Sequence, residues 1–148
     1  MWEILAGLAL GCVMSGVVPL VNAELLVAAA AVAVPAPVVP LVVMVATIGQ
    51  MLSKTALFEV ARRAPRHLPA RARKALDRAV ARVEARQGTA GSLVFASAAT
   101  GLPPFYGVSL AGGALGMRIR TFLVTGTAGR ALRFGVIAWA AHTIGGTV

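Results

Sequence analysis

The sequence predicts an all-α integral membrane fold. It is an inverted repeat of a re-entrant helical hairpin followed by a transmembrane helix, with a basic amphipathic surface helix between the halves. Three observations predict it. Hydrophobic residues make up 58% of the 148-residue chain and charged residues 13%, against about 45–50% and about 25% in soluble domains. Nine of the fourteen Lys and Arg residues fall between positions 62 and 86. Finally, two long apolar stretches are each preceded by an apolar region that Gly and Pro interrupt.

The length suits one domain, read as a single membrane domain over residues 1–148. Its first half is 1–61, the basic surface helix 62–88 and the second half 89–148. The first element covers residues 4–34 and is interrupted at Ser15-Gly16 and at Pro19. A bilayer-spanning helix needs about 20 apolar residues, so arms of about 15 are too short to cross alone. They suit a hairpin that enters, turns at depth and leaves on the same side. Residues 38–61 follow as the first full-length span. The second half repeats the plan: residues 91–117 are interrupted at Thr100-Gly101 and Pro103-Pro104, and residues 119–144 form the second span.

The halves also echo each other in letters. Val17-Val18-Pro19 parallels Gly101-Leu102-Pro103, and Gly49-Gln50-Met51-Leu52 parallels Gly129-Arg130-Ala131-Leu132. The intervals are 30 and 26 residues, a difference that Pro35, Pro37 and Pro40 absorb.

Charge sets orientation, since Lys and Arg stay on the cytoplasmic side. Residues 1–53 and 134–148 hold none. The first hairpin therefore opens outward, 38–61 crosses inward, the second hairpin opens inward and 119–144 crosses outward. Both termini are external, and the location expected is a bacterial cytoplasmic membrane. Within the basic segment, Arg71, Lys74, Arg78 and Arg82 recur at helical spacing beside a stripe of Leu68, Ala72, Leu76, Val80 and Val83, with Pro65 and Pro69 suiting its start and Gly88 its end. This pattern fits a helix lying on the anionic inner leaflet, or a solvated helix whose charges only set topology. Clustering of the net +9 in one segment of an apolar chain speaks against a nucleic-acid partner.

Soluble-enzyme chemistry has no residues to carry it. Paired acids, a phosphate-binding glycine loop and a nucleophile with a neighbouring base are all missing from the sequence. A lone Cys12 excludes an internal disulfide and a cysteine metal site. His67 and His142 fall on opposite faces of the expected topology, so neither metal nor cofactor is expected. The first residues lack the basic start of a signal peptide, having Glu3 as their only charge, and Ala9-Leu10-Gly11 is a poor lipidation site before Cys12.

What remains are ionisable groups within apolar sequence, each costly unless paired or wet. They are Glu24, Lys54, Arg130 and Arg133, with the uncharged Asn22, Gln50 and Tyr106 near the breaks. Lys54 either serves a ligand or snorkels to the inner head groups. Glu24 either titrates or holds the halves together in a salt bridge. Phe105 and Tyr106 either touch a ligand or simply pack, and the glycines from Gly107 to Gly116 either permit close helix contact or approach a ligand. Broken helices expose backbone amides, which hydrocarbon tolerates only beside a cavity or inside protein. In transporters, paired interruptions in inverted halves mark the substrate site. The hairpin tips at Pro19 and at Pro103 and Pro104 are thus expected to meet near the midplane, where one acid against three bases suits an anionic ligand such as a phosphate.

With these features the chain resembles the DedA superfamily, also called VTT or SNARE-associated-like membrane proteins, and is nearest its short YqaA-like branch. The resemblance runs from about residue 15 to 139. Its marks are the Pro19-to-Glu24 hairpin; Gly49, Phe58, Arg62 and Arg63 in "ATIGQMLSKTALFEVARR"; and Ala111-Gly112, Met117, Phe122 and "GRALRF" in the second half. Ser53-Lys54 stands where the family has Gly-Asp, and the family's Arg-x-x-Pro-x-x-Arg is absent from "ASAATGLPPFY". The resemblance implies a lipid-translocating fold acting on polyprenyl phosphates or phospholipids, with proton coupling in bacterial members. The function expected is therefore transport of an anionic lipid across the cytoplasmic membrane. The alternatives are a small-ion or drug exporter using Glu24, and a non-transporting scaffold that recruits partners through its basic helix. Membrane lipids are the expected partners, with a homodimer as the assembly suited to so small a domain.

Overall fold

A computed structural model describes residues 1–18, 21–63, 69–71, 73, 74, 77, 78, 81 and 90–145. Among these the fold is all-α, with no strand. The helices are α1 (Trp2–Val17), α2 (Ala23–Ala33), α3 (Val39–Arg63), α4 (Ala90–Thr100), α5 (Phe105–Ala114) and α6 (Ile119–Gly145), with a short 3₁₀ turn at Ala36–Val38. Described residues from 70 to 81 are helical, and Arg71, Lys74 and Arg78 are exposed there. Pro19, Arg82, His67, Pro65, Gly88 and the expected apolar stripe of the basic helix lie outside the described residues.

Local sequence accounts for the ends. Asn22 caps α2, its side chain accepting from the Glu24 amide at 2.9 Å, and Glu24 in the first turn complements the helix dipole. Pro40 sits in the first turn of α3, where a missing N–H costs nothing. Arg62 and Arg63 close α3 and pair with Glu59 at 3.7 and 3.2 Å. After α4 the chain turns at Gly101, whose φ of +80° is the left-handed region that glycine enters without strain. At the end of α5, Met117 N–H bonds the Gly112 carbonyl at 2.9 Å and Gly116 N–H bonds that of Gly113 at 3.1 Å. This is the Schellman closure, with Gly116 at φ +72° as its pivot.

The chain forms two compact units, one of Met1–Ser53 with Ala131–Val148 and one of Lys54–Arg130. Both boundaries fall inside long helices, so each unit draws on both halves of the sequence. In the first unit α1 packs along α2, over a core that includes Leu8, Cys12, Val27, Val42, Phe134 and Ala138. In the second, α4 packs along α5, and Phe122 stacks between Phe58 at 4.6 Å and Phe105 at 5.9 Å, ring centre to ring centre.

A matched seat recurs in the two units. A Cβ on Gly49 of α3 would meet the Ala9 carbonyl oxygen, Cys12 Cβ and Val13 N of α1 at 3.1–3.6 Å. A Cβ on Gly129 of α6 would meet the Phe95 carbonyl oxygen, Ala98 Cβ and Ala99 N of α4 at 2.7–3.1 Å. Each glycine thus faces the same three kinds of atom, at positions i, i+3 and i+4 of the neighbouring helix.

One expectation is corrected. The first break begins after Val17, not at Ser15-Gly16, which are helical. Gly16 serves contact instead of a turn: a Cβ there would overlap the Ser53 hydroxyl. Of the two stretches read as spans, only the helix over Ala36–Arg63 combines the length and apolarity to cross a membrane. The 27-residue α6 has the length, but Arg130 and Arg133 at its middle lower its apolarity.

Large apolar side chains are exposed on several helices while some polar side chains are buried. Along α3 the exposed face is Leu41, Met44, Ile48, Leu52 and Val60, while Thr47, Gln50, Ser53 and Lys54 are buried. Trp2, Leu10 and Met14 on α1 and Val124, Leu132, Val136 and Trp139 on α6 are likewise exposed.

Candidate functional site

The ionisable residues form two groups, one in each unit. In the first unit, Glu24 on the first turn of α2 accepts from Arg133 of α6, with Nε at 2.8 Å from Oε1 and the terminal Nη2 on the same oxygen. This is a charge-assisted pair in which two donors of the guanidinium share one carboxylate oxygen. Nearby elements of the unit carry uncharged polar groups. Gln50 Nε2 donates to Ser15 Oγ at 2.7 Å, and Ser15 Oγ donates to the Cys12 carbonyl at 2.9 Å. Thr47 Oγ1 and Gln50 Oε1, one helical turn apart on α3, are buried with no hydrogen-bond partner among the described residues. His142 Nδ1 lies 2.8 Å from the Ala31 carbonyl oxygen.

The second unit holds two buried cations at the start of α5. Lys54 is 5% exposed and Arg130 9%. Lys54 Nζ lies 5.2 Å from the centre of the Tyr106 ring, and Arg130 Cζ lies 4.8 Å from that of Phe105. A desolvated cation over an aromatic face is stabilised by up to about 2 kcal/mol. Their rings belong to the first two residues of α5, which has no side-chain cap. Its first intrahelical amide bond is that of Val108 to the Pro104 carbonyl at 3.2 Å, so the amides of Phe105, Tyr106 and Gly107 have no acceptor within the helix. Positive charge from the helix dipole, a guanidinium and an ammonium thus converge on one helix end, a set suited to a phosphate or other anion.

The preceding turn is held rigidly. Ser97, fully buried, donates to the Pro103 carbonyl at 2.5 Å, and Thr100 Oγ1 bonds the Leu102 amide at 3.2 Å. Pro103 is buried and Pro104 exposed.

Each sequence-predicted residue except Pro19, which lies outside the described residues, thus has a location. Glu24 pairs with Arg133, Asn22 caps α2 beside it, Gln50 joins Ser15, and Lys54, Tyr106 and Arg130 gather at the α5 start. Lys54 turns inward to the Tyr106 ring instead of snorkelling along α3. Sequence reasoning missed Phe105 as the platform for Arg130, and Ser97 as the brace of the turn. Adjacency of Phe105 to Pro104 at a helix start was the available signal for the first. A small polar residue one turn before a Gly/Pro break was the signal for the second. No family model, curated protein or solved structure matches the chain.

Proposed function

We propose that the chain is a multi-pass protein of a bacterial cytoplasmic membrane that moves an anionic lipid, a polyprenyl phosphate or a phospholipid, from one leaflet to the other. The observation that carries this reading is the pair of buried cations, Lys54 and Arg130, over the first two rings of α5. A cationic, amide-rich helix start within an apolar chain favours a phosphate head group, and the aromatic rings keep both cations positioned when no ligand is bound.

Membrane residence is supported by the exposed apolar faces and buried polar residues, and by the helix over Ala36–Arg63. Re-entrant hairpins are supported by length. At 1.5 Å per residue, the 16-residue α1 and 11-residue α2 reach about 24 and about 16 Å, short of the roughly 30 Å hydrocarbon core. The 11-residue α4 and 10-residue α5 are no longer than α2. The matched seats of Gly49 and Gly129 support an inverted repeat, since each long helix rests on the first arm of its own hairpin in the same way.

Glu24 acts in this scheme as a latch. Its carboxylate retains the Arg133 guanidinium, and movement of α6 against α2 has to break that pair. The exporter alternative needs Glu24 open to a cation, and its pairing with Arg133 favours the anionic substrate.

Proteoliposomes carrying fluorescent phosphatidylglycerol or polyprenyl phosphate in one leaflet test the reading. Native protein accelerates exchange to the other leaflet, and Arg130→Ala slows it. Equal rates for native protein, Arg130→Ala and Glu24→Gln would overturn transport by this site.

A further inference from the structure

A second feature of the Lys54–Arg130 unit lies away from the start of α5. A cavity of about 400 Å³ opens between α4, the far end of α5 and the beginning of α6. Small-molecule sites have about 300–1,000 Å³. Val94 of α4, Val108 and Ala111 of α5, and Leu115 and Met117 just beyond it make its walls, and Arg118 and Thr121 are its polar side chains. We infer that this groove holds the acyl chain of an anionic lipid whose head group rests on Arg118.

The shape follows from small residues. Ala90, Gly91, Ala111 and Gly112 line the groove, and none of them has a side chain long enough to fill it. At one end of the groove Gly91 lets α4 come close to α6: a Cβ there would lie 3.2 Å from Thr121 Cγ2. What remains is a slot with apolar walls and one guanidinium at its edge.

Charge selects the occupant. Thirteen of the fourteen Lys and Arg residues lie within positions 54–130, against three of the five acids. Arg118 precedes α6 and Arg120 lies in its first turn, where the helix dipole is positive. For a lipid already in the bilayer, moving its tail into the slot exchanges one apolar environment for another. The head group therefore decides residence, and a phosphate beside Arg118 is what the slot retains. This inference rests on the chain lying in a bilayer and is independent of transport.

Photolabelling tests it with the full chain in phosphatidylcholine nanodiscs. The probe is myristoyl lysophosphatidic acid bearing a diazirine at the chain end, compared with the same chain on phosphocholine. The expected result is labelling of the peptides that hold Val94, Val108 and Ala111 by the anionic probe. Ala111→Phe, which fills the slot, abolishes it, and Leu115→Trp at the exposed rim does the same without touching the interior. Arg118→Gln lowers labelling by the anionic probe about fivefold and leaves the phosphocholine probe unchanged. Equal labelling by both head groups in the native chain, label spread along exposed faces such as Leu41 to Leu52, or cross-links between two copies through the slot would each overturn it.

Discussion

Arg133 of α6 donates from Nε to Glu24 Oε1 at 2.8 Å, tying α2 to a residue 109 positions further along the chain. The pair is half-buried, with side-chain exposures of 22% for Arg133 and 39% for Glu24. Removing the carboxylate leaves the guanidinium without its strongest acceptor. Glu24→Gln is expected to cost about 1–2 kcal/mol of stability. Arg133→Gln costs a similar amount, and the double variant less than the sum of both. Unfolding in detergent micelles, followed by helical circular dichroism across the double-mutant cycle, measures the coupling. Additive losses would show that the pair contributes nothing.

Glycine positions divide by what a methyl group would meet. At Gly129 it would come within 2.7 Å of the Phe95 carbonyl oxygen, and at Gly113 it would overlap the Phe58 carbonyl oxygen. At Gly135, also mid-helix, it meets nothing within 4 Å. Gly129→Ala and Gly113→Ala are expected to destabilise by about 1–3 kcal/mol, whereas Gly135→Ala gains about 0.5–1 kcal/mol from helix propensity. Melting temperatures of the three variants in one detergent check the opposite signs.

At the start of α5, Arg130→Ala removes both a charge and the partner of the Phe105 ring. Lipid exchange in proteoliposomes is expected to fall about tenfold or more, in line with the loss of a charge-assisted contact. Arg130→Lys retains part of the rate, since an ammonium keeps the charge and loses the planar fork. Tyr106→Phe preserves the ring under Lys54 and leaves the rate near that of the native protein, whereas Tyr106→Leu lowers it.

Orientation has its own measurement. In a Cys12→Ser background, Lys74→Cys and Arg78→Cys present thiols at exposed helical positions. An impermeant maleimide is expected to label both in inside-out vesicles and neither in intact cells. Labelling in intact cells would invert the proposed topology.

The elements were legible in the sequence because their signals are local. Proline and glycine punctuation gave the starts of α3 and α5 and the turn after α4, and a long stretch without proline gave the extent of α6. Gly16 misled because a glycine that admits a neighbouring hydroxyl looks, in sequence alone, like one that ends a helix. The partners of the ionisable residues were not legible. Glu24 and Arg133 each stood out as charges in apolar sequence, but their meeting depends on how α6 returns against α2. Likewise, nothing in the letters separates Lys54 with Arg130 from Glu24 with Arg133, because the unit boundaries cut through two continuous helices.

The distance in sequence between Glu24 and Arg133 also has a consequence for synthesis. A ribosome adding about 5–20 residues per second needs roughly 5–20 s to cover that interval. Throughout it the nascent first hairpin carries a carboxylate whose guanidinium has not yet been made. The ion pair that ties α2 to α6 therefore forms only after α6 has been made, and until then the acid must be kept by water or by whatever holds the nascent chain.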